Sequence, residues 1–221
     1  FEKGFFLVLL LVLSGSKANV VSYHAEILSV VSLLLIFYVF LLKKQRKIKK
    51  LIYIYVVIFL YFLGYFFKFG VLDFGFISTY VNYATISFLV LLAVGKYKFF
   101  KIYVKVMVFL SIVAIPFYVA QLIAPFELFD LLKSFESIFS LNKFSYSELA
   151  AEKHYVNVIF YTLNTLYTDI FHRNSGFAFE PGFYAVYLVI AIYFNTLHTG
   201  SLLNKAGIIL SLSLISTFST T

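Results

Sequence analysis

The 221 residues include no cysteine. Disulfides, thiolate metal sites and nucleophilic cysteine chemistry are therefore excluded. Charge is also scarce, at 13% of residues, and acids are the rarer sign, 10 against 18 Lys and Arg. A soluble domain is about 25% charged and roughly 45–50% apolar. This chain is 62% hydrophobic and 21% aromatic, with a mean hydropathy of +0.95. A water-soluble globule of that composition would expose much apolar surface. An ordinary cytosolic enzyme, a disordered chain and a disulfide-rich secreted domain are excluded. Lipid is the solvent these numbers require.

Chemical signatures are missing too. The sequence has no P-loop, no G-x-G-x-x-G, no H-E-x-x-H and no D-x-D pair. Nothing in it points to an ATPase or to a metal-dependent, nucleotide-sugar glycosyltransferase. His24, His154, His172 and His198 lie far apart and show no metal spacing. The net charge of +8 suggests nucleic acid at first sight. Basic cytoplasmic loops of a membrane protein explain it better, since no soluble basic domain exists to bind a polyanion. Phe5–Leu13 resembles a signal-peptide core, but Gly15, Ser16 and Lys17 make a poor cleavage site. It reads instead as a first span. The chain starts at Phe1 and stops at Thr221 inside an apolar run, so it reads as a fragment of a longer membrane protein.

What is present is a series of apolar runs. A bilayer core of about 30 Å needs ~20 apolar residues per helix. The sequence predicts an all-α, polytopic membrane protein of about seven spans, at 4–15, 25–42, 51–67, 76–94, 102–123, 181–197 and 206–221. It reads as one transmembrane domain over 1–221, with an external loop at about 124–180. Lys43, Lys44, Arg46, Lys47, Lys49 and Lys50 crowd one connection. Lys96, Lys98, Lys101, Lys105, Lys205 and Lys3 fall on the same side of the seven spans. That side is expected to be cytoplasmic. The 124–180 segment lies opposite and carries seven acids against four bases.

This segment is poor in Gly and Pro and rich in Phe, Tyr and Leu, so it reads as ordered. Apolar residues at 128, 131, 132, 135, 138 and 139 form a stripe of helical period. That predicts an amphipathic interfacial helix over Phe126–Phe139. A second helix is expected from Ser145, where Ser145 and Glu148 fit a capping box. Its stripe would run through Leu149, Val156, Ile159, Phe160, Leu163, Leu166, Tyr167 and Ile170. The pair either packs on the bundle for structure alone or frames a cleft for an amphiphilic substrate.

The densest polar cluster is Asp169-Ile-Phe-His172-Arg173-Asn174-Ser175-Gly176-Phe-Ala-Phe-Glu180-Pro181-Gly182, directly before an apolar run. Pro181 suits the first position of a helix. Glu180, preceding it, is pushed away from helical dihedrals. A helix N-terminus carries partial positive charge and free N–H groups. A guanidinium beside it, Arg173, can bind phosphate or pyrophosphate bidentately. A carboxylate there, Glu180, can accept a hydroxyl proton. The plainer reading stays open: Arg173 pairs with Asp169 one helical turn away, Glu180 is only an N-terminal charge, and His172 is an ordinary interfacial histidine.

Arg173-Asn-Ser-Gly176-Phe-Ala-Phe-Glu180-Pro181-Gly182-Phe-Tyr-Ala185 resembles the R-x-x-G-x-x-x-E-P motif of bacterial O-antigen polymerases of the Wzy type. The run Leu214-Ile-Ser-Thr-Phe-Ser219-Thr220-Thr221 is similar to that family's Ser/Thr-rich helix. The resemblance implies a metal-independent, cofactor-free membrane glycosyltransferase. Its substrate would be an undecaprenyl-pyrophosphate-linked oligosaccharide, polymerised at the outer face of the bacterial plasma membrane into O-antigen, capsule or exopolysaccharide. Its surroundings would be the lipid bilayer, with flippase and chain-length regulator proteins as partners and no nucleic acid. Arg173 and Glu180 would be catalytic: Arg173 stabilises the pyrophosphate leaving group, and Glu180 positions or deprotonates the acceptor hydroxyl. His172, Asn174, Gly176 and Pro181 would shape or contact the substrate site. Alternatives are an O-antigen ligase of the same superfamily, a transporter or flippase of lipid-linked sugars, and a non-catalytic scaffold. A transporter should place ionisable residues at mid-membrane depth; here they gather at the ends of the apolar runs.

Overall fold

The computed structural model describes residues 4–13, 51–70, 74–139, 155–158, 160–164, 172–178 and 180–218. These residues are mostly helical. In chain order they form α1 (Phe5–Leu13), α2 (Leu51–Phe69), α3 (Phe74–Val94), α4 (Lys96–Ile123), α5 (Pro125–Phe139), β1 (Tyr155–Val158), β2 (Tyr161–Asn164), α6 (Pro181–Thr199) and α7 (Lys205–Ser216). The chain divides into two compact units, Tyr23–Phe99 and Phe1–Ser22 with Phe100–Thr221. In the first, α2 packs on α3, and the Tyr55 hydroxyl meets Thr85 Oγ1 at 2.8 Å. Most of α2 is exposed apolar surface, Tyr53, Phe59 and Phe67 among it.

The second unit is built on α4, α6 and α7. Phe100 and Tyr103 near the start of α4 touch Phe194 near the end of α6. Ser111 further along α4 meets Tyr184 in the first turn of α6. Contacts that run backwards along one helix as they advance along the other make α4 and α6 antiparallel. The turn from α6 to α7 closes on Gly200, in the left-handed region at φ 70°. Asn204 caps α7 by accepting from Gly207 N at 2.8 Å. Its amide nitrogen donates to Thr199 Oγ1 and the Ser201 carbonyl at 2.7 and 2.9 Å, so one side chain ties both helix ends. Against α4, α1 sets Phe5 edge-on to Phe109.

Among the described residues two helices are long and apolar enough to cross a bilayer, Tyr97–Ile123 and Pro181–Thr199. Of the most apolar 18 residues in each, only 33% and 28% are buried within the protein. A helix at the core of a soluble globule would bury most of its apolar residues. Seven spans are not supported. The described apolar stretches Tyr53–Lys68, Val81–Val94 and Lys205–Ser216 are shorter, and α1 has nine residues where ~20 are needed. The expected span at 25–42 lies outside the described residues, as does the expected capping box at Ser145.

The 124–180 segment differs from an all-helical loop. Its first helix is present as α5, one residue longer at the start than expected, with Pro125 leading. The predicted second helix is corrected: Tyr155–Val158 and Tyr161–Asn164 form an antiparallel hairpin pairing Val156 with Leu163 and Val158 with Tyr161. The reason lies in the residues. Positions 156, 159, 160 and 163 suit a helical period, but 156, 158, 161 and 163 are apolar too and suit alternation around a two-residue turn. Val156, Tyr161 and Leu163 are fully buried, in one cluster with Ala114 of α4 and Leu128 and Leu132 of α5. Tyr161 stacks on Phe117 at 5.3 Å and donates to Gln121 Oε1 at 2.6 Å. Burial pushes its phenol pKa up.

Candidate functional site

Residues 172–178 cross the end of the α4–α6–α7 layer and touch all three helices and the hairpin. The Tyr118 hydroxyl of α4 donates to the His172 carbonyl at 3.3 Å. Asn174 is fully buried. Its backbone N–H donates to the Ser216 carbonyl at 3.0 Å and its Nδ2 to Ser216 Oγ at 2.8 Å, at the last residue of α7. Its Oδ1 accepts from Gly176 N at 2.9 Å, the turn that Asn favours when its side chain mimics a backbone group. The Gly176 carbonyl then accepts from Thr162 N of β2 at 2.7 Å.

Gly176 has φ +51°, a conformation that suits glycine. It also sits on the ring of Tyr184: a Cβ at 176 would come within 2.6 Å of Cζ. Tyr184 is fully buried, with Phe177 edge-on at 5.6 Å and Ser111 Oγ 3.3 Å from its hydroxyl. Close approach and positive φ thus select the same residue for one position.

Helix α6 begins as the sequence predicts. Pro181 opens it, and Glu180 is extended at φ −131°, ψ 150°. The Glu180 side chain is exposed and makes no capping hydrogen bond. Arg173 is also exposed. Among the described residues neither takes part in an ion pair, with the other or with a third group. The two charges flank a buried turn, one on each side, and do not neutralise each other. His172 is half-buried, and its Nδ1 is enclosed without a hydrogen-bond partner. No three His, Asp or Glu side chains gather as a metal site among the described residues.

Two expected contact residues therefore sit inside the protein. Asn174 bonds through both Nδ2 and Oδ1 within the fold, and Gly176 is covered by Tyr184. Residues that the sequence did not single out hold them there: Ser216, Tyr184, Tyr118 and Thr162. Only the Ser/Thr richness of 214–221 hinted at one of these. At the far end of α7, Thr217 is αR and Phe218 takes φ 44°, the one described non-glycine residue with positive φ. No family model, curated protein or solved structure matches the chain.

Proposed function

We propose that the protein is a metal-independent membrane glycosyltransferase that polymerises undecaprenyl-pyrophosphate-linked repeat units into O-antigen, capsule or exopolysaccharide. The observation that carries this reading is the R-x-x-G-x-x-x-E-P segment. Its middle is buried and rigidly bonded, while Arg173 and Glu180 stay exposed where the apolar helix α6 begins. An amphiphilic donor with its lipid in the bilayer and its pyrophosphate at the surface would meet both charges there.

With α4 and α6 as spans, the end of α4, the start of α6 and Arg173 lie on one side of the membrane. The Lys-rich start of α4 and Lys205 lie on the other. The basic side is cytoplasmic by the usual loop bias, so the Arg173 side faces the periplasm or the outside of the plasma membrane. The acceptor hydroxyl oxygen attacks the anomeric carbon of the lipid-linked chain. The bond from that carbon to the pyrophosphate oxygen breaks, and its electron pair leaves with the pyrophosphate. Arg173 stabilises the charge developing on that leaving group, and Glu180 takes the hydroxyl proton. The donor is already activated, so no nucleotide is needed.

The test is a surface-polysaccharide gel in a deletion strain complemented with Arg173→Ala. The variant should insert at parental levels and yield single repeat units without a ladder. A normal ladder refutes the role of Arg173. Loss of all surface glycan, with lipid-linked polymer accumulating, would mark a ligase instead.

A further inference from the structure

We infer that Ser216, at the C-terminal end of α7, is a positioning residue for Arg173; the inference rests on the role proposed above for that arginine. Arg173 has no side-chain ion pair of its own among the described residues, so its placement comes from the backbone. The peptide that follows it is the one fixed to Ser216. Asn174 N–H reaches the Ser216 carbonyl at 3.0 Å, and Asn174 Nδ2 reaches Ser216 Oγ at 2.8 Å.

The Ser216 hydroxyl is directional. It donates its one proton to the Ser213 carbonyl at 2.7 Å, so toward Asn174 it can only accept. Serine and threonine satisfy both ends; alanine satisfies neither. A threonine hydroxyl makes the equivalent bond at this helix end, from Thr217 to the Leu214 carbonyl at 2.7 Å. Losing Ser216 Oγ leaves the Asn174 amide buried with an unpaired donor. The turn then shifts to find a partner, and Arg173 shifts with it. A misplacement of about 1 Å in a charge-stabilising group costs up to roughly a hundredfold in rate.

The assay uses the full chain in membranes from the complemented deletion strain. The substrate is undecaprenyl-pyrophosphate-linked repeat unit extracted from the deletion strain. Rates are divided by the amount of inserted protein. Ser216→Ala should lower the rate by roughly ten- to a hundredfold, and Ser216→Thr should restore it to within about twofold of the parent. In an Arg173→Lys background the Ser216→Ala loss should shrink below about threefold, because a lysine ammonium is a flexible point charge that depends little on fork geometry. A merely structural serine would lower both backgrounds by the same factor, and that result overturns the inference. Where Ser216→Ala does not accumulate, Asn174→Asp is read in its place, since it keeps the acceptor for Gly176 N and removes the donor. Failure of both to accumulate assigns Ser216 to folding and overturns the inference as well. If Arg173→Ala runs at the parental rate, the proposed function of Arg173 fails and the inference falls with it. If Arg173→Ala is inactive while Ser216→Ala is parental, the inference alone fails.

Discussion

Replacing Gly176 by alanine tests the geometry of the turn more severely than any change to its charged neighbours. Two independent costs meet at this position. The first is conformational: at φ +51° an L residue is disfavoured by about 1–2 kcal/mol. The second is steric. The new methyl would lie 2.6 Å from Tyr184 Cζ and 2.8 Å from both Cε atoms. A flexible side chain would swing aside. This ring is fully buried, with Phe177 against its edge and Ser111 at its hydroxyl, so it has nowhere to go. Overpacking of that kind costs about 1–3 kcal/mol. Together the loss is about 2–5 kcal/mol, or roughly 4–20 °C in Tm for a chain of this size. Thermal unfolding of the detergent-solubilised protein, followed by circular dichroism at 222 nm, measures it. Tyr184→Leu removes the far end of the ring. In that background Gly176→Ala should cost only the conformational part, about 1–2 kcal/mol. An unchanged Tm for Gly176→Ala refutes the account. A loss of equal size in both backgrounds refutes its steric half.

Three further outcomes follow from the same bonds. Asn204→Ala removes the α7 cap and the tie to Thr199 and Ser201, and should lower stability by about 0.5–2 kcal/mol; Asn204→Asp, which keeps the capping oxygen, should lose less in the same melt. Tyr161→Phe leaves Gln121 Oε1 buried without its donor and should cost about 1–3 kcal/mol near neutral pH. Burial raises the Tyr161 pKa above its ordinary 10.0. The unfolded chain therefore loses this proton first, and the folded state loses stability as pH climbs past about 10. Tyr161→Phe should melt with a flatter pH dependence in that range, and an identical slope would refute the assignment.

Local rules were enough where one element satisfied one period. The α5 helix is read correctly because its apolar spacing admits no alternation, but its stripe only in part: Leu128 and Leu132 are buried, while Leu131 and Phe135 are exposed. Pro181 places the start of α6, since proline fixes its own φ and biases Glu180 toward the extended region seen here. The hairpin was illegible for a physical reason. The sequence between the strands, Ile-Phe, is not the Asn-Gly or Asp-Gly pair that announces a two-residue turn. Its apolar positions fit two periods, and only the cluster around Ala114, Leu128 and Leu132 decides between them. Hydropathy likewise cannot tell a spanning helix from a shorter apolar one, and α7 stops at Ser216 after 12 residues. At the site, residue type pointed to Arg173 and Glu180 because charge is rare. It could not show that Asn174 faces inward, because Asn serves a buried turn as readily as a ligand. That distinction depends on Ser216, 42 positions away.

The exposure of Arg173 is itself an argument about how such a site works. A buried guanidinium needs a partner to offset the loss of water, commonly a carboxylate. Had Glu180 supplied it, an arriving pyrophosphate would compete with an ion already in place. Here the arginine keeps its hydration and is held instead by neutral bonds one residue further on, from Asn174 to the end of α7. Those bonds fix the backbone without consuming charge. A pyrophosphate would then exchange only water for the two parallel N–H donors of the fork. Glu180 stays exposed on the other side of the turn, with no side-chain capping bond. Under the proposed chemistry, the separation of the two charged groups by a hydrogen-bonded turn leaves one free to meet the leaving anion and the other to meet the acceptor hydroxyl. Bringing them together would blunt both. A Phe177→Gly change, which loosens the turn between them, should therefore weaken activity more than its effect on protein level explains.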